Sequence, residues 1–346
     1  MSSCYHIIIR LIYSLIAIIF FYSCSESKID GIILLTNSEI EVGILPEVGG
    51  RIVLLRKPGK DNILKSDSSL WINADQRKPE ITPSTDFVAF NGNITWIGPQ
   101  KEWWVHQNLN IERKENKADW PPEPYLIYSA YQITEQTKTF LKLVGPVSPI
   151  NGLRLTKEYR ITNGGEVEIK VTAKNERKTT VKWDLWMLTR LDGFARAYVP
   201  ISESGILELV IKKNNKTETT PYKVVSNHFT FDPSLPSSDK NEQVQEVHLY
   251  PSRNYIVGFG KNQMLLINFD KIEKNLIHPN HGLVELYSFI NKDGDDTLLE
   301  LEVHGAYKTL KSGEIMTLTE TWKLKHYNGE NNSKDHLTFL KKNLEL

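Results

Sequence analysis

Cysteine is almost absent from this sequence. The 346 residues include two cysteines, Cys4 and Cys24, and both lie within the first thirty positions. The body of the chain therefore forms no internal disulfide, and Cys24 is free for a covalent attachment.

An excess of charge of one sign is also absent. Lysine plus arginine and aspartate plus glutamate each number 42, so the formal net charge is zero. Nucleic acids and anionic surfaces are bound mainly through clustered positive charge, and nothing in the composition favours either partner. Fixed-period repeats and long low-complexity tracts are missing as well. The length suffices for one large domain or two ordinary ones.

Long apolar runs are confined to the N-terminus. Residues 7–22 read IIIRLIYSLIAIIFFY, and the uninterrupted part, Leu11 to Tyr22, spans 12 residues. A membrane-spanning helix needs about 20 residues. The run therefore predicts the core of a signal peptide that covers residues 1–23.

The sequence FYSC at residues 21–24 closes this run and is followed by SES. A small residue and then cysteine resembles a bacterial lipobox of the looser Bacteroidetes type. The resemblance implies cleavage before Cys24, lipidation of Cys24 and a tether over residues 24–35. The protein would then be lipid-anchored to a membrane of the cell envelope, on the periplasmic or surface side. The alternative is an uncleaved anchor helix in which Cys24 is incidental.

Most of the remaining chain alternates with the period of a β-strand. Residues 153–161 and 167–173 alternate on either side of an Asn-Gly-Gly turn, which predicts a β-hairpin. Further strands are predicted at residues 181–188, 264–269, 283–290, 298–304 and 315–324.

Many short strands with regular turns are typical of an antiparallel sandwich or barrel. Residues 36–326 contain no linker, and their number predicts one all-β domain of two large antiparallel sheets with few helices. Residues 327–346 form a C-terminal tail, in which Leu337, Leu340 and Leu344 could share one stripe of a short helix. Residues 97–124 contain Pro and Gly and predict a long excursion from the sheets.

Three motifs resemble one superfamily, the galactose-mutarotase-like domains. They are VGILPEVGGRI at residues 42–52, TVKWDLWMLTR at residues 180–190, and the closing strands over residues 299–324 with their Leu-x-x-Gly turn. The segments WIGPQ at residues 96–100 and WPP at residues 120–122 resemble an uncharacterised, often exported bacterial branch of it. The resemblance implies a β-supersandwich that binds sugars on the concave face of its larger sheet.

The same resemblance implies a chemistry, namely aldose 1-epimerase isomerisation with a histidine as general acid and a glutamate as base. In that family the acid is the His of an Asn-His pair, and an aromatic residue and an Asn follow the pair. Here Asn227-His228 and Asn280-His281 are the only such pairs, and neither has that sequel.

Candidate catalytic residues lie near the C-terminal strands. Glu302 and His304 share the face of their strand that is opposite to its leucines, and the spacing puts them about 7 Å apart on an open face. His281 stands at a strand entry, and Glu285, four residues later, is a candidate for substrate contact. The alternative for each is a solvated polar face.

A second group consists of candidates for sugar contact. Asp184, Trp186 and Arg190 share one face of a strand, and an aromatic ring flanked by a carboxylate and a guanidinium suits a pyranose. The alternative is an Asp–Arg pair capped by a tryptophan. Arg51 joins this group by resemblance alone. Glu320 lies in an apolar row and predicts either a tuned carboxylate at the binding face or a structural ion pair with an arginine.

The tryptophan-rich segment TWIGPQKEWWVHQ at residues 95–107 has no clean period. Its rings either plug a core or wall a pocket, since indoles with a few polar groups line many ligand clefts. The pocket hypothesis takes in one set of residues: Trp96, Gln100, Lys101, Trp104, His106 and Trp120.

No metal site or cofactor is expected from the sequence. His278 and His281 are three residues apart, but Pro-Asn between them predicts a loop, and no third ligand is spaced nearby. No carboxylate pair that would favour glycoside cleavage is recognisable.

The combined expectation is a membrane-anchored, monomeric carbohydrate-binding protein that could act as an aldose mutarotase on released sugars. Two alternatives stay open. One is a non-catalytic sugar-binding lipoprotein, and the other is an envelope scaffold that grips a partner protein through its tryptophan-rich segment.

Overall fold

The computed structural model describes residues 31–72, 74–210 and 216–344. The predicted signal peptide, Cys24 and most of the tether lie outside these described residues. Within them, no helix has both the length and the apolar character that a membrane crossing requires.

Strands dominate the described part of the chain. They are β1 Ile33–Thr36, β2 Glu41–Leu45, β3 Arg51–Arg56, β4 Asn93–Gly98, β5 Gln132–Gln136, β6 Phe140–Val147, β7 Leu153–Ile161, β8 Val167–Asn175, β9 Val181–Leu191, β10 Arg196–Val210, β11 Thr217–Thr219, β12 Tyr222–Val225, β13 His228–Phe231, β14 Glu242–Pro251, β15 Tyr255–Gly260, β16 Gln263–Phe269, β17 Val284–Asn291, β18 Thr297–His304, β19 Lys308–Leu310 and β20 Ile315–His326.

Helices are short, apart from the last one. They are α-helices at Ser68–Trp71, Ala74–Arg77, Ile111–Glu115, Pro124–Tyr128 and Ser333–Leu344, with 3-10 turns at Gln100–Glu102 and Lys274–Leu276. The C-terminal helix covers the predicted stripe, and its Leu337 and Leu340 are buried.

The strands form two antiparallel sheets. The front sheet runs β1-β2-β3-β4-β9-β18-β17-β14-β10, with the short β11 parallel to β14. The back sheet runs β5-β6-β7-β8-β20-β16-β15-β10. Strand β10 is long enough to belong to both sheets, because Arg196–Tyr198 pairs with β15 and Ile201–Val210 with β14.

The core lies between the two sheets and follows from the period-2 pattern of the strands. In β7 the pattern of burial alternates, and Leu153, Leu155, Tyr159 and Ile161 point inward. The front sheet adds the apolar face of β18 to the same cluster. The predicted hairpin and strands are confirmed, and β9 extends three residues beyond its predicted end.

A second apolar cluster covers the outer face of the front sheet. The segments between β3 and β5, which include the predicted excursion, pack there against side chains of β2, β3 and β9. Trp103 and Trp104 are buried there, so these two rings plug a core. Trp96 does not lie in a loop, because β4 carries it in a register opposite Trp186 of β9.

Candidate functional site

The polar side chains of β18 lie on the outer face of the front sheet. Leu299, Leu301 and Val303 belong to the core between the sheets. Alternation therefore directs Glu300, Glu302 and His304 to the opposite face. Strand register places Glu300 opposite Arg190, Glu302 opposite Glu285, and His304 opposite Trp186. The predicted sharing of one face is present, but the face is not open, because His304 is fully buried and Glu302 is 3% exposed.

A pocket of about 430 Å³ opens on this face. Six aromatic side chains from distant parts of the chain line it, namely Phe87, Trp96, Trp120, Trp186, Tyr287 and Phe289. The centroids of Phe87 and Trp120 lie 4.8 Å apart, and those of Trp96 and Trp186 lie 5.1 Å apart at right angles. This packing restrains the rings, and Trp120, which is 49% exposed, presents the most open ring surface, whereas Trp96 and Trp186 are 5% and 4% exposed.

The floor of the pocket is charged. Glu300 Oε1 accepts a hydrogen bond from Arg190 Nε at 2.6 Å, and the Arg190 guanidinium lies 5.2 Å from the Trp96 ring centre. Glu302 Oε2 accepts the indole N–H of Trp186 at 2.7 Å. The two carboxyls are therefore fixed by different donors, and hydroxyl groups of a ligand would meet both donors and acceptors here.

Burial raises the pKa of Glu302 well above its usual range, and the negative charges of Glu300, Glu285 and Glu246 raise it further. Glu302 thus tends to keep its proton while Glu300 is paired with a guanidinium.

Behind Trp186 lies a second group, the buried cluster, which consists of Asp184, His281, Glu285 and His304. His304 stacks on Trp186 with ring centroids 4.8 Å apart and on His281 at 4.2 Å. Burial alone lowers the pKa of His304, but Glu285 and Asp184 outweigh it and raise that pKa to about 10. Burial likewise opposes ionisation of Glu285, yet His304 and His281 hold its pKa well below the usual range.

Most of the predicted site residues lie in one of two neighbouring places, the pocket and the buried cluster. The pocket is lined by Trp96, Gln100, Trp120, Trp186, Arg190 and Glu302. The buried cluster takes Asp184, His281, Glu285 and His304, none of which lines the pocket. Of the three residues predicted to be catalytic, the pocket therefore contains Glu302, whereas both histidines lie behind Trp186.

The other residues of the tryptophan-rich segment lie away from the pocket. Lys101 is exposed. Trp104 is fully buried and donates its indole N–H to Pro121 O at 2.8 Å, and Arg113 packs on its ring. His106 is exposed and bonds to Glu102 at 3.0 Å. Trp104 therefore belongs to the apolar cluster on the front sheet, whereas Lys101 and His106 face solvent, and none of the three lines the pocket.

Arg51 and Glu320 also lie elsewhere. Arg51 is buried at the Gly49–Gly50 turn, where it donates to the carbonyls of Val48 and Ile127 at 2.9 and 2.6 Å. Glu320 belongs to the back sheet and accepts the indole N–H of Trp322 at 2.7 Å. The arginine partner expected for Glu320 is not seen among the described residues, because the apolar row around it offers only the indole.

Several residues that line the pocket were not predicted. Phe87 comes from the segment before β4, whose sequence gives no strand or helix signal. Glu246 and Tyr287 sit on neighbouring strands of the front sheet, and Glu300 pairs with Arg190. Glu300 could have been found from the alternation of β18. Glu246 and Tyr287 could be placed only with the strand order, which the sequence does not show.

Comparison with known protein families assigns the chain to one of them. Residues 31–325 match the family model described as "Domain of unknown function (DUF4380)". The chain belongs to this family. None of the curated proteins matches the DUF4380 chain in sequence.

Solved structures give the fold of this DUF4380 protein. The Slr1438 protein from Synechocystis sp. PCC 6803 is similar with a TM-score of 0.55 at 11% identity, over 86% of this chain and 97% of that one. A galactose mutarotase-like protein from Clostridium acetobutylicum gives 0.53 at 12%, over 85% and 95%. Another from Lactobacillus casei ATCC 334 gives 0.51 at 11%, over 85% and 100%. The predicted galactose-mutarotase-like β-sandwich is thus confirmed, and at these identities the likeness concerns the fold alone.

Proposed function

We propose that this protein binds a carbohydrate in the pocket on the outer face of the front sheet. One observation carries the proposal: Trp96, Trp120, Trp186 and Phe87 surround the same cavity as the Glu300–Arg190 pair. The volume falls within the range of roughly 300–1,000 Å³ that is usual for small-molecule sites.

The chemistry of the pocket suits a sugar better than an apolar ligand. An indole face covers the C–H groups of a pyranose, whereas its hydroxyls need charged acceptors and donors at the ring edge. Trp120 is 49% exposed although it is a large aromatic, and Phe87 and Trp96 hold its ring over the opening. An exposed ring that is fixed in this way is available for stacking.

A binding screen tests the proposal. Protein lacking residues 1–24 is titrated with hexoses, pentoses, uronic acids and oligosaccharides, and thermal stability and indole emission are followed. A bound sugar should raise the melting temperature and change the emission. Silence across all four classes would contradict carbohydrate binding and favour the envelope-scaffold alternative.

A matched pair of variants locates the binding site. Trp120→Ala should weaken sugar binding about tenfold, which corresponds to about 1.4 kcal/mol for one stacked ring. Tyr222→Ala removes a comparably exposed aromatic that does not line the pocket, and it should leave the affinity unchanged. Equal affinities of the two variants would place the sugar elsewhere.

Aldose 1-epimerase activity is a second candidate function, favoured by two carboxyl groups that face one pocket. Mutarotation needs an acid at the ring oxygen and a base at the anomeric hydroxyl. Glu300 and Glu302 are two residues apart on β18, hence about 7 Å apart along the strand, and each is held by a different donor.

Polarimetry on fresh α-glucose and α-galactose separates this candidate from simple binding. An enzyme should accelerate the change in rotation above the buffer blank, and Glu302→Gln should abolish that acceleration while sugar binding persists. A rate equal to the blank for a sugar that binds would identify a non-catalytic binding protein.

We also propose that the protein is lipid-anchored in the cell envelope through Cys24, on the support of the lipobox-like FYSC sequence alone. Cys24→Ser should move the exported protein to the soluble fraction. Continued retention in the membrane would favour an uncleaved anchor helix.

A further inference from the structure

The buried cluster contains several nitrogen and oxygen atoms that make no hydrogen bond and that could bind a metal ion. Asp184 and His304 have no exposed surface, Glu285 is 2% exposed and His281 is 9% exposed. One donor atom each from Asp184, His281 and His304 lies within 4.8 Å of the other two. The three come from β9, from the loop before β17 and from the end of β18, so the fold brings them together from distant parts of the chain.

Five atoms of these three residues are buried without a hydrogen-bond partner. They are both carboxylate oxygens of Asp184, both ring nitrogens of His304 and Nε2 of His281. Buried polar atoms nearly always have a hydrogen-bond partner, because an unsatisfied buried polar atom destabilises the fold. Five unsatisfied atoms on three neighbouring side chains therefore indicate that these side chains bind a common ligand.

The distances between the side chains favour a metal ion over a shared proton as that ligand. His304 Nδ1 lies 3.6 Å from Asp184 Oδ1, and His304 Nε2 lies 3.5 Å from Glu285 Oε1. A hydrogen bond to a charged partner would be about 2.7–2.9 Å long. Two donors that bind one tetrahedral ion at about 2.05 Å are instead about 3.3 Å apart. The Asp184–His304 separation is closer to the second value.

Glu285 supplies the support that a metal-binding histidine usually has. His281 Nδ1 donates to Glu285 Oε1 at 2.9 Å, and the same oxygen accepts Gly282 N–H at 2.9 Å. This bond fixes the ring so that Nε2, the unpartnered nitrogen, faces away from Glu285. A histidine oriented by a carboxylate behind it is the common arrangement at metal centres.

Gly98 provides space for the carboxylate. It lies opposite Asp184 in the β4–β9 register, and a Cβ on Gly98 would clash with the Asp184 carboxylate. Any larger residue would push Asp184 away from the histidines.

We propose that Asp184, His281 and His304 bind one divalent transition-metal ion. Two imidazoles and one carboxylate suit Zn²⁺ and related ions, and three protein ligands leave a position for water or a further ligand. Glu285 is a positioning residue that orients His281. The proposal of this metal site does not rest on sugar binding in the pocket.

The test uses the full chain, extracted in mild detergent and freed of metal by a chelator. Isothermal titration with Zn²⁺ alone should show one ion per chain and a rise in melting temperature. His281→Ala and Asp184→Asn should each weaken binding at least 100-fold, and Glu285→Gln about 10–100-fold. His326→Ala removes an exposed histidine outside the cluster and should leave binding unchanged.

Two outcomes would overturn the proposal. One is the absence of stoichiometric Zn²⁺ uptake by the wild-type chain, and another is uptake that survives in His281→Ala. Either result would leave His304 as an imidazolium between two carboxylates, and the cluster as an ionic network. Asp184→Asn could fail to fold because the residue is fully buried. His281→Ala changes a loop residue outside the strands, so it still decides the question, with circular dichroism as the check of folding.

Discussion

Glu320 gives a prediction whose size follows directly from the structure. Its carboxyl group is 2% exposed in a row of apolar side chains on β20, with Met316, Leu318, Trp322 and Leu324 as its companions. Burial raises the pKa of Glu320 from 4.5 to about 8, although the indole N–H of Trp322 partly opposes the rise. The folded protein therefore keeps Glu320 protonated at a pH where the unfolded chain has released the proton.

The sign of the effect follows from this difference in bound protons. The contribution of protonated Glu320 to the free energy of unfolding is fully present below the unfolded pKa of 4.5. It is lost as the pH rises through the folded pKa of about 8. At about 1.4 kcal/mol per pH unit the total loss is about 5 kcal/mol, of which about 4 kcal/mol falls between pH 5 and pH 9. Glutamine has the same shape, cannot ionise, and offers a carbonyl oxygen to the same indole.

We therefore expect Glu320→Gln to be as stable as the wild type at pH 5 and more stable by a few kcal/mol at pH 9. Urea unfolding followed by tryptophan fluorescence at both pH values measures the difference. Glu168→Gln on the neighbouring β8 changes an exposed carboxyl and should leave the pH dependence intact. Wild type and Glu320→Gln that stay within about 1 kcal/mol of each other at pH 9 would refute the argument.

Three further variants probe the pocket, the core and a turn. Arg190→Met leaves Glu300 as an unpaired, mostly buried carboxylate, so urea unfolding should show a loss of about 3–5 kcal/mol that Glu300→Gln largely restores; a loss that persists would rule out the ion pair as the cause. Leu301→Ala should cost about 2–5 kcal/mol in the same assay while sugar affinity is unchanged, since its side chain points to the core; a parallel fall in affinity would contradict that orientation. Gly49→Ala should cost at least about 2 kcal/mol, because φ is 72° and the new Cβ would clash with the carbonyl of Ile127; a neutral result would mean that the turn relaxes.

The strands of the sandwich could be predicted because burial on one face leaves a period of two in the sequence. The pattern of β7 shows this most clearly, with inward Leu153 and Leu155 and exposed Arg154. The same alternation put Glu302 and His304 on one face correctly. It did not show that the segments between β3 and β5 cover that face, because those segments carry no period that relates them to the sheet.

The site itself depends on register and strand order. Asp184, His281 and His304 are about 100 and 20 residues apart along the chain, and no local spacing of ligands links them. The pairing of His304 with Trp186, and of Asp184 with Gly98, brings them together. A shift of register by one residue would turn these side chains to the core. The prediction that no metal site is present rested on the spacing of ligands along a short stretch of sequence. Such spacing does not reveal which strands pair with each other.

Trp186 connects the two places where we propose ligands. One face of its ring stacks on His304, its N–H binds Glu302, and the residue lines the pocket. His304, which would bind the metal ion, and a sugar in the pocket would therefore both contact Trp186. If the ion changes the affinity for the sugar, the sugar must change the affinity for the ion by the same factor.

We expect Zn²⁺ affinity to differ with and without a saturating sugar from the binding screen, as measured by isothermal titration. Trp186→Phe keeps an aromatic ring against His304 but loses the hydrogen bond to Glu302. In this variant both ligands should still bind, and the difference should shrink. Identical Zn²⁺ affinities in the wild type, with and without the sugar, would mean that the ring is a rigid partition and that the two sites are energetically separate.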